Sequence, residues 1–216
     1  MTIKMIKELY DELNEYLDFQ IEKLSLEKIK EKELELGLDF PESMIDFYHY
    51  YGNSFEVRNA FYLFDELENI RIENSALVFG DTDQRQMRLG ITLEKLNSKY
   101  QSISQYLFDL KKWFSEGAMK PEGFFFNIAA WQILNLLPAM ATVEMDRDDF
   151  LELCEKEFRF FSNEKTINLG YKIHACKRDN ILACYYCEGG ILYLGSREDD
   201  TLNMLEDELG WELDWL

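Results

Sequence analysis

Proline is scarce. Pro41, Pro121 and Pro138 are the three in 216 residues, and no stretch rich in proline, glycine and serine interrupts the chain. That leaves no obvious linker. With no internal repeat either, the expectation is a single domain over residues 1–216, a length that suits one good-sized core. Histidine is scarcer still, with His49 and His174 alone. A glycine-rich phosphate loop, a GxSxG elbow and an HExxH pair are all missing. The opening Met1-Thr2-Ile3-Lys4 runs straight into charged amphipathic sequence without the apolar centre of a signal peptide, so a cytoplasmic location is expected. Phe124 to Val143 is the most membrane-like stretch, but Asn127, Gln132, Asn135 and Pro138 break it. It reads as a buried helix rather than a span. The four cysteines, 154, 176, 184 and 187, are expected as reduced thiols.

Positive charge is the other shortage: 23 basic residues stand against 42 acidic ones, a net of −19. Such a surface repels phosphate backbones and anionic lipid, which argues against nucleic-acid and membrane-surface binding. It speeds encounter with a basic partner, although the same excess also serves plain solubility. Hydrophobic residues make up 47% of the chain and aromatics 15%, enough for a packed interior and against disorder.

Met5, Leu9, Leu13, Tyr16, Leu17, Ile21 and Leu24 recur at helical spacing and predict an amphipathic helix. Ser25 caps a second helix that Gly37 stops, and Pro41 opens a third that ends at Gly52-Asn53. Short apolar runs then predict a sheet: Phe61 to Phe64, Ala76 to Phe79, Gln86 to Ile91, Ser102 to Leu107 and Lys112 to Phe114. Phe125 to Leu137 reads as a helix buried on most sides, and Asp148 to Phe161 as a second one. Tyr171 to Cys176, Ile181 to Cys187 and Ile191 to Leu194 predict an antiparallel meander. A helix near Asp200 to Leu209 and the tail Trp211 to Leu216 close the chain. This order predicts an α+β fold, with a mixed or antiparallel sheet flanked by helices, rather than alternating βαβ units.

Candidate chemistry is thin. His49, in Phe47-Tyr48-His49-Tyr50-Tyr51, is either a general base or a half-exposed helix residue, and no nucleophile or oriented carboxylate stands beside it in sequence. His174, Cys176, Cys184 and Cys187 could supply four soft zinc ligands. In a strand, however, positions three apart face opposite ways, so Cys184 and Cys187 cannot both chelate unless the strand breaks. No metal, cofactor or catalytic residue is therefore expected, and no enzyme. Acidic clusters are plentiful: Asp65-Glu66-x-Glu68, Asp81-x-Asp83, Glu144 to Asp149, and the C-terminal stretch from Arg197, with eight acids and one base. A solvated face is the ordinary fate of each. Asp65, Glu66, Glu68, Asp81 and Asp83, in turns around the predicted central strands, are the candidate partner contacts, with the C-terminal acids as competitors.

Within Ser25 to Asn53, Glu33 is followed by Leu36-Gly37, Phe40-Pro41, Phe47-Tyr48 and Gly52-Asn53. This succession resembles the opening of the SUKH superfamily, although the last pair is reversed from the usual Asn-Gly and Phe40 replaces a commoner leucine. Ser75 to Gln84 resembles that family's strand leading to an Asn-Gln pair, with Asp83 in the Asn position. Leu89-Gly90-Ile91 stands where Trp-Gly-Ile is frequent, Trp113 where a tryptophan commonly follows, and the apolar helix near Ala129-Trp131-Gln132 fits too. The resemblance covers about residues 25–135. It implies a SUKH-like domain and the role of a bacterial immunity protein, which binds and blocks a cognate toxin domain such as a nuclease or deaminase. A non-catalytic interaction or regulatory module with a different partner is the alternative.

Overall fold

The computed structural model describes residues 3–82, 85–98, 101–115, 120–161 and 173–216. It is an α+β fold that divides into two compact units. Of the described residues, those from 20 to 126 form one unit; those up to 19, together with 127–161 and 173–216, form the other.

In the 20–126 unit, punctuation residues set the helices. The Ser25 hydroxyl accepts the Glu27 N–H and caps α2 (Leu26–Leu36). Gly37 ends it at φ 67°, a left-handed conformation that glycine adopts without steric cost. Pro41 then caps α3 (Glu42–Tyr51), and α4 (Phe55–Asn59) follows from a Ser54 cap. Next come β1 (Leu63–Phe64), a 3-10 turn (Leu67–Asn69), β2 (Arg71–Glu73), β3 (Ala76–Asp81), β4 (Met87–Thr92), α5 (Leu93–Leu96), β5 (Ser104–Leu107) and β6 (Lys112–Phe114). Their sheet is antiparallel in the order β1-β3-β4-β5-β6, with β2 also paired to β3. Its core packs Phe47 against Phe64 and Phe125, at ring-centre distances of 4.7 and 5.6 Å. Phe79, Phe124, Leu89 and Ile91 are buried in the same unit.

The other unit holds α1 (Ile3–Asn14), most of α6 (Pro121–Leu134), β7 (Ala139–Glu144), α7 (Arg147–Lys156), β8 (Arg159–Phe160), β9 (Ile173–Arg178), β10 (Ile181–Tyr186), β11 (Ile191–Ser196), α8 (Asp199–Leu209) and β12 (Asp214–Trp215). These strands form a second antiparallel sheet, β12-β7-β11-β10-β9-β8. Phe150, Leu153, Leu202 and Leu205 from α7 and α8 join Ala183, Tyr185, Leu192 and Leu194 in one buried cluster.

Besides short elements that the sequence reading did not include, such as α4, β2 and α5, three departures stand out. The first helix stops at Asn14 instead of running on to Leu24, because Arg197 takes up the carbonyls beyond it. Arg197 donates to the Tyr16 carbonyl at 3.0 Å and also to those of Glu15 and Leu17. Tyr16 and Leu17 are buried as the helical pattern implies, but from an irregular segment. α7 ends at Lys156, where the N–H groups of Glu157 and Phe158 both close on the Leu153 carbonyl, and the chain enters β8. β7, unread in the sequence, pairs with β11 along its whole length. Tyr171, the predicted start of β9, lies outside the described residues.

Candidate functional site

Asp65 is the best-anchored of the predicted contacts. Its N–H donates to the Phe79 carbonyl at 2.9 Å, and the Tyr48 hydroxyl reaches its carbonyl at 3.0 Å. The same hydroxyl lies 3.2 Å from the Phe79 carbonyl, so one α3 side chain fixes where β1 ends against β3. Asp81 stands opposite Leu63, two residues before Asp65. Asp65 and Asp81 are therefore brought together. Glu66 pairs with the buried Arg58 at 3.3 Å. Glu68 is exposed, and its carbonyl is held by Lys32 at 3.0 Å. Asp83 lies outside the described residues.

Two arginines link the carboxylates into an alternating chain. Arg71 reaches Asp65 at 3.0 Å and Glu73 at 2.9 Å. Arg88 pairs with Glu73 and lies 3.8 Å from Asp81. Arg71 and Glu73 share one face of β2 because strand side chains alternate. The β2–β3 link, Asn74-Ser75, has φ of 48° and 60°, the paired left-handed geometry of a tight hairpin.

The chain of charges continues into a row of aromatics. Asp81, Arg88, Tyr106 and Trp113 stand directly opposite one another across β3, β4, β5 and β6. Tyr106 and Trp113 meet at 5.2 Å between ring centres, and Tyr106 meets Phe108 at 5.8 Å. The Arg88 guanidinium lies over the Phe108 ring at 5.2 Å. Gly90 makes room for this row: a Cβ there would come within 2.7 Å of the Trp113 ring. Trp113 reaches across it and donates its indole N–H to the Asn74 carbonyl at 2.9 Å. Beyond β5, Phe108 and Leu110 sit at the hairpin tip, 39% and 63% exposed.

Electrostatics leave two carboxylates of this face, Asp65 and Asp81, under-compensated. Burial raises the Asp65 carboxyl above its ordinary range despite Arg71, and Asp81 adds to the push. Burial likewise raises Asp81 against the pull of Arg88, Arg71 and Arg85, with Glu73 adding to it. Burial also works against ionised Glu73, but its hydrogen bond from Arg71 and the Arg88 charge outweigh that and hold it low. Because these side chains are partly exposed, the pairs contribute little to folding, about 0–1 kcal/mol each.

The remaining candidates occupy structural positions. The His49 ring lies 2.7 Å from the Leu24 carbonyl through Nδ1, while the Leu24 N–H donates to the His49 carbonyl at 2.8 Å. His174 is opposite Tyr185 in the meander. Burial, helped by Arg147, lowers its pKa from 6.5 to about 4. Cys184 is fully buried in β10, whereas Cys187 packs with Ala183 and Tyr185 on the α7 side. Cys176 lies on that side too, hydrogen-bonded to Cys154. Among the described residues no three His, Cys, Asp or Glu side chains are placed to hold a metal ion, and no helix is long and apolar enough to cross a membrane.

The sequence reading missed Arg71, Glu73 and Arg88. The signal available was the hairpin 71–76, in which Arg-x-Glu precedes a turn-forming Asn-Ser. Set against known protein families, curated proteins and solved structures, the chain matches none.

Proposed function

We propose that this chain acts by binding, and that it is a SUKH-type immunity protein that neutralises a cognate bacterial toxin domain in the cytoplasm. The toxin domain is basic, of the nuclease or deaminase kind, and it is blocked sterically and electrostatically without chemical change. One observation carries the reading: the residues of the resemblance converge on the acidic candidates. Tyr48, of the Phe47-Tyr48 pair, bonds the Asp65 carbonyl, Leu89-Gly90 belongs to the strand beside Asp81, and Trp113 ends the cross-strand row that starts at Asp81. An acidic rim of Asp65, Glu66, Glu68 and Asp81, extended by Asp83 in sequence, is suited to compete with phosphate for a basic cleft. Charge of this kind raises the association rate and rejects wrong partners.

The test is co-expression with the toxin domain encoded beside this chain, with cell survival as the readout. Survival, a one-to-one complex and association that slows as salt rises support the reading. Death of cells that contain abundant folded protein ends it.

A further inference from the structure

The sheet face that carries the charge chain is continuous with an exposed aromatic tip. Arg88 is the junction, since it pairs with Glu73 on one side and lies over Phe108 on the other. Surface positions holding arginine, tyrosine, tryptophan and phenylalanine in mutual contact are the types that dominate binding energy at protein interfaces. This face has Arg71 and Arg88 among the carboxylates, and Phe108 and Trp113 both in ring contact with Tyr106, which is itself buried. Its backbone is stiff. Cross-strand pairing holds β3 to β6, and the Trp113–Asn74 bond ties the last strand back to the β2–β3 turn. A pre-ordered surface loses less entropy when a partner docks.

We propose that this face, from Asp65 through Arg88 to Phe108 and Leu110, is where the partner docks, and that the partner is a protein whose lysine- and arginine-rich surface borders an apolar cleft. The proposal deepens the binding reading and rests on it. Charge complementarity selects the occupant. Asp65, Glu73 and Asp81 outnumber Arg71 and Arg88 in the chain of pairs, Glu66 and Glu68 lie along the rim, and the whole protein carries −19. A cationic surface meets excess carboxylate at the β1–β3 end. At the other end Leu110 and Phe108 project from a four-residue hairpin tip and need an apolar cover. A nucleic acid would meet the same excess of negative charge and is rejected.

Two measurements on the full chain test this. In the first, an octa-arginine peptide is titrated into isotope-labelled protein and amide shifts are mapped. Shifts gathered on β1 to β4 around Asp65, Glu73 and Asp81 support the face; shifts gathered on α8 and the C-terminal acids, or spread evenly, overturn it. In the second, Phe108→Ala/Leu110→Ala is compared with an α8 control, Asp200→Lys/Asp207→Lys, for binding the toxin domain encoded beside this chain. The tip variant is expected to lose affinity about tenfold or more with an unchanged melting temperature, and the control about threefold or less. If the wild type neutralises the toxin and the tip variant binds as well as it does, the face is wrong while the immunity reading stands. If the wild type fails to bind, the immunity reading falls, and the peptide map alone decides the face. A wild type that dimerises through Phe108 and Leu110 would make the occupant a second copy and overturn the basic partner.

Discussion

The Glu33 carboxylate accepts the Phe40 N–H at 2.6 Å, across the turn that separates α2 from α3. Glu33 is buried, and its own carbonyl takes the Leu38 N–H at 3.1 Å. One residue thus closes both the helix end at Gly37 and the approach to Pro41. The Glu, Leu-Gly and Phe-Pro elements quoted for the SUKH resemblance act here as one capping device.

Glu33→Ala should destabilise the chain by about 1–3 kcal/mol, because it leaves the buried Phe40 N–H without an acceptor. Glu33→Gln keeps an acceptor oxygen and should cost less. Urea unfolding of the two variants checks this, and equal losses would show that charge, not the hydrogen bond, is what matters at this turn.

Phe47→Ala should cost about 3–5 kcal/mol, the usual penalty for opening a cavity at a core phenylalanine. Phe47 is fully buried and contacts the rings of Tyr48, Tyr51, Phe64 and Phe125. Its contacts therefore reach β1 and α6 as well as its own helix. A melting temperature equal to wild type would refute this packing.

Helices α2 and α3 were legible because their limits are written in residues with local physics: a serine cap, a left-handed glycine, a proline at the first turn. The meander of β9, β10 and β11 was legible from its turns. The end of α1 was not, because Tyr16 and Leu17 keep the helical spacing while the interaction that ends the helix comes from Arg197, 180 positions away. Asp65 and Asp81 were both read as turn residues around the central strands; Asp81 is instead the last residue of β3, and the pairing of β1 with β3 is what brings it near Asp65. Arg88 escaped notice because its partners, Glu73 and Phe108, lie 15 and 20 positions away on either side and meet it only through strand pairing.

In native protein, Cys187 should react with a thiol reagent before the other three cysteines. It is half-buried, whereas Cys154, Cys176 and Cys184 are buried; burial raises the Cys187 thiol as it does those of Cys176 and Cys184, so access to the reagent is what sets Cys187 apart. Protein purified without chelator should carry well under one zinc per chain. Tightly held zinc that Cys184→Ser releases would contradict the burial of Cys184 within β10 and the place of Cys187 past the strand's end, packed against the α7-side cluster.

Acid should expose the partial burial of His174. Its folded pKa, about 4, lies below the ordinary 6.5 because burial disfavours the imidazolium and Arg147 repels it. Between these values the unfolded chain binds the extra proton, so stability rises with pH across this window. This stability is present in full above pH 6.5, declines as pH falls, and is lost once pH passes below about 4. The loss is bounded at about 3 kcal/mol by the size of the shift. His174→Gln replaces the neutral ring with a group that does not titrate, so its stability should fall less steeply between pH 6.5 and 5. Urea unfolding of both proteins at pH 7.5, 6 and 5 isolates the term, since the carboxylates common to both cancel in the difference. Parallel curves would mean that His174 takes up its proton as readily in the folded chain as in the unfolded one, and that its place beside Phe150 and Tyr185 is open to water.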